Sequence, residues 1–195
     1  DDVKKSLSLK FDKKIPAGTL ISAIIPSSAG IRLPDIGVMI KTMSKYSVGG
    51  DFLLGIVYPL TFAYIQPVGS LTNSTSISFM PGKAGVENNV LIAFVPSMDM
   101  LVGEKVTIRL PGFSGENVPE RTDFLPPQGS LGQYSWNNVL KELNLFVVSF
   151  VGQGTPLNAS LALILPAHGV RTNQQSISIA TNSFQGAVQE ISFAV

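Results

Sequence analysis

Between a turn residue and a proline eight positions later, the chain writes one alternating apolar run four times. The copies are Gly18 to Pro26, Asn73 to Pro81, Gly103 to Pro111 and Asn158 to Pro166. Alternation with period two predicts half-buried strands. The closing prolines are 55, 30 and 55 residues apart, so copies one and three, and copies two and four, are each separated by 85. That spacing predicts a two-part unit used twice.

Other strands fill in around the copies. In the first half they are expected at Ser6–Phe11, Thr19–Ile25, Val38–Met43, Phe52–Val57, Leu60–Ile65, Ser74–Met80 and Val90–Val95. In the second half they are expected at Lys105–Leu110, from Tyr134 to Trp136, within Leu140–Phe150, and at Asn158–Leu165, Ser176–Ala180 and Val188–Val195. Tyr58-Pro59 interrupts one run and predicts an edge strand or a bulge, because proline donates no ladder hydrogen bond. Gly112 to Gly132, with Pro119, Pro126 and Pro127, is expected to be a long loop. No helix of ordinary length is supported. Many short strands with regular turn signals predict an all-β fold. The expectation is two tandem Ig-like antiparallel β-sandwich domains, 1–97 and 98–195, meeting near Pro96 to Met100 and related by the repeat of about 85 residues.

Composition narrows the function classes. Only 14% of the 195 residues are charged and the net charge is +1, so no field favours nucleic acid or an acidic membrane. The polar surface is then mostly Ser, Thr, Asn and Gln. The chain has no cysteine, which excludes disulfides, thiolate metal sites and cysteine nucleophiles. No apolar run is long enough to span a membrane as a helix. The chain opens at Asp1 without a methionine, and it closes on Ile191-Ser-Phe193, which is similar to Leu91-Ile-Ala-Phe94 and Leu9-Lys-Phe11. Both ends are expected of a segment cut from a longer array.

Candidate chemistry is sparse. Two N-glycosylation sequons begin at Asn73 and Asn158, 85 apart at the head of equivalent strands, where a glycan is tolerated and solubilising. His168 is the one histidine; without a nucleophile elbow it reads as a turn residue, and no enzyme is expected. The acidic residues, Asp12 and Asp99 among them, are scattered without calcium-loop spacing, so no metal or cofactor is expected. Trp136 reads first as core. The alternative is a carbohydrate- or protein-binding surface made by Tyr134, Trp136, Phe113, Phe124 and the 112–132 loop.

Two stretches carry a resemblance: Lys14 to Pro34 (KIPAGTLISAIIPSSAGIRLP) and Val106 to Gly115 (VTIRLPGFSG). With the run from Trp136 through Leu143 and Leu145 to Asn158–Pro166, they resemble motifs of repetitive surface proteins of unicellular algae and related protists. The resemblance implies tandem β-domains, a secreted or membrane-anchored parent, and a location outside the cell. It carries over no catalytic residue. The expected role is a structural segment of a surface or filament protein, such as a flagellar hair, coat or adhesin, whose partners are neighbouring domains of the same or identical chains and glycans. A capsid-like shell protein is the further alternative; a jelly roll does not predict the 85-residue period.

Overall fold

The computed structural model describes residues 6–52, 55–72, 75–123, 129–172 and 174–193. The chain divides into two units, Asp1–Arg32 and Leu33–Val195. In the first, a turn closes between Pro16 and Thr19 around Gly18, whose φ of +79° suits glycine. Ser27–Ala29 forms a single 3-10 turn ended by Gly30. The strands expected at Ser6–Phe11 and Thr19–Ile25 do not form. Alternation gives a segment two faces, but a strand also needs a neighbour for its backbone N–H and C=O groups. Among the described residues nothing pairs with these two segments.

The second unit is all-β and antiparallel. Strands β1 (Ser47–Phe52) and β2 (Gly55–Thr61) form a hairpin of their own. Strands β3 (Ser76–Met80), β4 (Glu87–Phe94) and β9 (Leu157–Ile164) form a three-stranded sheet in the order β3-β4-β9. Strands β5 (Lys105–Arg109), β6 (Val118–Asp123), β7 (Leu131–Asn137), β8 (Glu142–Val147), β10 (Ser178–Thr181) and β11 (Val188–Ser192) form a six-stranded sheet in the order β11-β10-β5-β8-β7-β6. The two larger sheets share one apolar core. Ile77, Val90, Ile92, Phe94, Leu161 and Leu163 come from the first, and Val106, Ile108, Trp136, Leu143, Leu145 and Ile179 from the second. This is a two-layer arrangement consistent with a β-sandwich. Immunoglobulin domains divide their strands ABED and CFG; here the division is three and six.

The pairing is nested. β6 pairs with β7, β5 pairs with β8 outside them, and β4 pairs with β9 outside those. The expected division between residues 97 and 98 therefore runs through a shared core. Met98 and Met100 are fully buried there, and Met100 bridges Val151 by two backbone hydrogen bonds. A linker would be wet; this segment is core.

The repeat also takes a different form from the expected one. Copies two and four supply β3 and β9, which flank β4 in one sheet instead of occupying equivalent places in two domains. Their phases are opposite. Leu161 and Leu163 of β9 are buried, whereas subtracting 85 gives Ser76 and Ser78, which are exposed. A shift of one residue exchanges the faces of a strand, so Ile77 and Phe79 point inward in their place. Copies three and four do agree, with Val106, Ile108 and Leu110 matching buried Leu161, Leu163 and Leu165 at a spacing of 55.

Local departures follow turn chemistry. Val38–Met43 is not a strand: Val38 makes a single bridge to Val68, and Ile40–Lys45 is 3-10. The expected bulge at Tyr58-Pro59 is present, since Val48 pairs with Leu60 but Gly50 with Val57, which leaves Gly49 opposite both residues. The expected 112–132 loop contains edge strand β6 with Pro119 at its second position. Buried Asn88 holds the β3–β4 turn: its Oδ1 accepts from the Gly82 and Lys83 N–H groups, and its Nδ2 donates to the Lys83 and Val86 carbonyls. Buried Glu104 likewise accepts from the Leu101 and Phe184 N–H groups.

Candidate functional site

The expected aromatic surface is largely interior. Trp136 is 2% exposed and Phe113 is fully buried, because β7 points Trp136 across to Leu143 on the core face. Phe113 packs against Phe79 with ring centroids 5.7 Å apart. Tyr134 is half-buried against the core. Phe124 lies outside the described residues. Neither Trp136 nor Phe113 presents a ring to a ligand.

Asn158 is the second residue of β9, not part of a leading turn. Its side chain is exposed on the outer face of the three-stranded sheet, opposite Ala93. The same face carries Ser76, Ser78, Asn89, Leu91, Ser160 and Ala162, and the Ser160 hydroxyl donates to Asn89 Oδ1. The cross-strand partner of Asn158, Ala93, is small, and Asn158 itself is exposed, so its side-chain amide is accessible to a glycan. Asn73, the other sequon, lies outside the described residues. His168 sits in an exposed turn, as expected. Asp99 accepts from the Gln153 N–H; Asp12 is exposed in the first unit.

The outer face of the six-stranded sheet is polar in rows. Thr107 and Asn144 are directly paired and hydrogen-bonded at 2.8 Å, and Asn144 donates onward to Ser135. In the next row, Arg109 lies between its cross-strand partner Glu142 and Glu190, 3.6 Å away, while the Ser178 hydroxyl donates to Glu190. An open groove of about 220 Å³ runs there, lined by Thr107, Arg109, Ser178, Ala180, Thr181, Asn182 and Glu190. It offers donors and acceptors but no aromatic floor, and it is smaller than usual ligand sites. The sequence signal was present in the outward half of each strand's alternation. It names polar residues without saying which strands lie side by side. Among the described residues, no three His, Asp or Glu side chains gather to hold a metal.

The most distinctive surface is apolar. Hairpin β1–β2 exposes Val48, Phe52, Ile56, Tyr58 and Leu60, with Phe62 and Tyr64 beyond it. The β7–β8 hairpin, with the same kind of alternation, buries its apolar side completely at Leu143 and Leu145. In the first unit Leu7, Leu9, Phe11, Leu20 and Ile24 are exposed, Leu20 and Ile24 above 90%. Isolated exposed apolar residues are ordinary; series of them on strand-type sequence mark interaction surfaces.

No protein-family model matches the chain, and a search of curated proteins finds no match. Among the described residues no helix is long and apolar enough to cross a membrane.

Proposed function

We propose that this chain is a non-catalytic structural segment of an extracellular, glycosylated surface or filament protein, and that it works by assembling through its strands. The observation that carries the proposal is the run of exposed large apolar side chains on strand-type sequence in the first third of the chain, among them Leu7, Leu9, Leu20, Ile24, Val48, Phe52, Ile56, Tyr58 and Leu60. Fully withdrawing a large apolar side chain from water contributes about 1.5–3 kcal/mol, so covering several of these partly exposed ones works in favour of association. A net charge of +1 opposes it little. Of the residues on which the binding-module alternative rests, Trp136 and Phe113 are buried, which favours the structural reading over it.

The protein's mass in solution, measured by sedimentation across a wide concentration range, tests the assembly. Oligomers that grow with concentration, visible as linear particles by electron microscopy, are expected. A monomer at every concentration would remove the assembly reading. Exposure of Asn158 gives a second expectation: expressed through a eukaryotic secretory pathway, Asn158→Gln should lower the glycoprotein mass by one glycan without changing its thermal midpoint. An unchanged mass would show that this sequon is unused.

A further inference from the structure

Sheet edges are where strands recruit other strands, and proteins guard them with proline, charge, bulges or cover. The described edges of this protein are guarded unevenly. β6 reads Val-Pro-Glu-Arg-Thr-Asp and β11 carries Glu190. β1 carries Asp51, β2 carries Pro59, and a bulge interrupts their ladder. The outer edge of β9 is bridged by Ser114 at Ile164. β3, Ser-Ile-Ser-Phe-Met, has no charge, no proline and no bulge, and its register with β4 is unbroken. Among the described residues no strand pairs with its other edge.

We infer that this edge of β3 accepts the Ser6–Phe11 segment of a second copy of the chain as an added antiparallel strand. The occupant is chosen by its likeness to the strand β3 already takes. Leu7, Leu9 and Phe11 repeat the spacing and type of Val90, Ile92 and Phe94 in β4. β4 sets Ile92 opposite Ile77 and Val90 opposite Phe79. The same register on the free edge sets Leu9 opposite Ile77, Leu7 opposite Phe79 and Ser8 opposite Ser78. Phe79 is only partly buried at this edge, and Leu7 would cover it. Leu7 and Leu9 are about half exposed, and among the described residues their segment forms no ladder, so its apolar side and its backbone can take a partner. Main-chain pairing gives the affinity and the alternate side chains the selectivity. Donor and acceptor are different surfaces, so the contact is heterologous and propagates into an open filament unless its rotation closes a ring.

This inference rests on the assembly reading and specifies its contact. The chain has no native cysteine, so Ser8→Cys with Ser78→Cys gives two thiols at exposed positions. Directly opposed residues have Cα atoms about 4.5–5.5 Å apart, within disulfide reach. Mild oxidation of the double variant should produce a ladder of linked oligomers on a non-reducing gel. Mixing the two single variants should produce the heterodimer, and Ser8→Cys with Ser76→Cys should link several-fold more slowly. A monomeric band that has lost both thiols would overturn the inference, because the segment would then fill its own chain's edge. Oligomers in sedimentation without the cross-link would overturn this pairing and leave the assembly reading standing. Neither oligomers nor cross-link would remove both.

Discussion

Fragments 1–97 and 98–195, made separately, should each lack a cooperative unfolding transition, and mixing them should restore one. The cut separates β4 from β9, which pair over eight positions from Glu87↔Ile164 to Phe94↔Leu157. Fragment 98–195 keeps all six strands of the larger sheet but loses β3 and β4, two of the three that cover its inner face. Fragment 1–97 keeps β4 with Val90, Ile92 and Phe94 facing no opposite layer. Those three side chains are buried to 1% or less; at about 1.5–3 kcal/mol each, exposing them removes roughly 5–9 kcal/mol. Domain stabilities of about 5–15 kcal/mol leave little after such a loss. Circular dichroism during heating gives the answer. A sharp transition in either fragment alone would mean that the halves fold independently after all.

Trp136→Ala should destabilise the fold by about 3–5 kcal/mol, the usual cost of removing a large core aromatic. Trp136→Phe should cost much less. The indole N–H is buried and has no hydrogen-bond partner among the described residues, so phenylalanine leaves no acceptor unpaired and removes a buried orphan donor. Such orphans cost about 1–3 kcal/mol, which offsets part of the lost volume. Urea denaturation followed by circular dichroism measures both variants. Equal losses would show that the indole nitrogen is satisfied in solution. A negligible loss for alanine would mean that the ring is not in the core.

Strand positions were legible where alternation and a partner coincide. Ser-Ile-Ser-Phe in β3, Val-Thr-Ile-Arg in β5 and Leu-Ala-Leu-Ile in β9 announce themselves, and each is a strand. Ser-Leu-Ser-Leu-Lys-Phe is as regular, yet no strand among the described residues pairs with Ser6–Phe11. Period two describes the faces of a strand and is silent about its edges. The repeat misled for a related reason. Equal spacing of Pro81 and Pro166 fixes where β3 and β9 end, but burial is set by alternate residues, and Ile77 and Leu161 fall on opposite parities. The 97/98 division was misplaced because Pro96-Ser-Met-Asp-Met reads as linker, whereas two methionines occupy the core. Of the site residues, the sequon at Asn158 was legible because the motif is local. The Arg109–Glu190 pair was not, because it joins residues 81 positions apart across strands whose adjacency the sequence does not state.

Nesting the strand pairs has a consequence for how the chain is made. Glu87 meets Ile164, 77 positions later, and Val106 meets Thr181, 75 positions later. A topology dominated by such distant contacts has a high contact order and folds in roughly milliseconds to seconds, well behind helical domains of equal stability. At ribosomal speeds of about 5–20 residues per second, β4 waits roughly 4–15 s for β9 to be synthesised. Throughout that interval the β3–β4 hairpin is complete but uncovered, with one edge promised to β9 and the other bare. Crowded polysomes would hold many such hairpins close together, so the cell must deliver each C-terminal half, or a chaperone, before neighbouring nascent chains pair with one another.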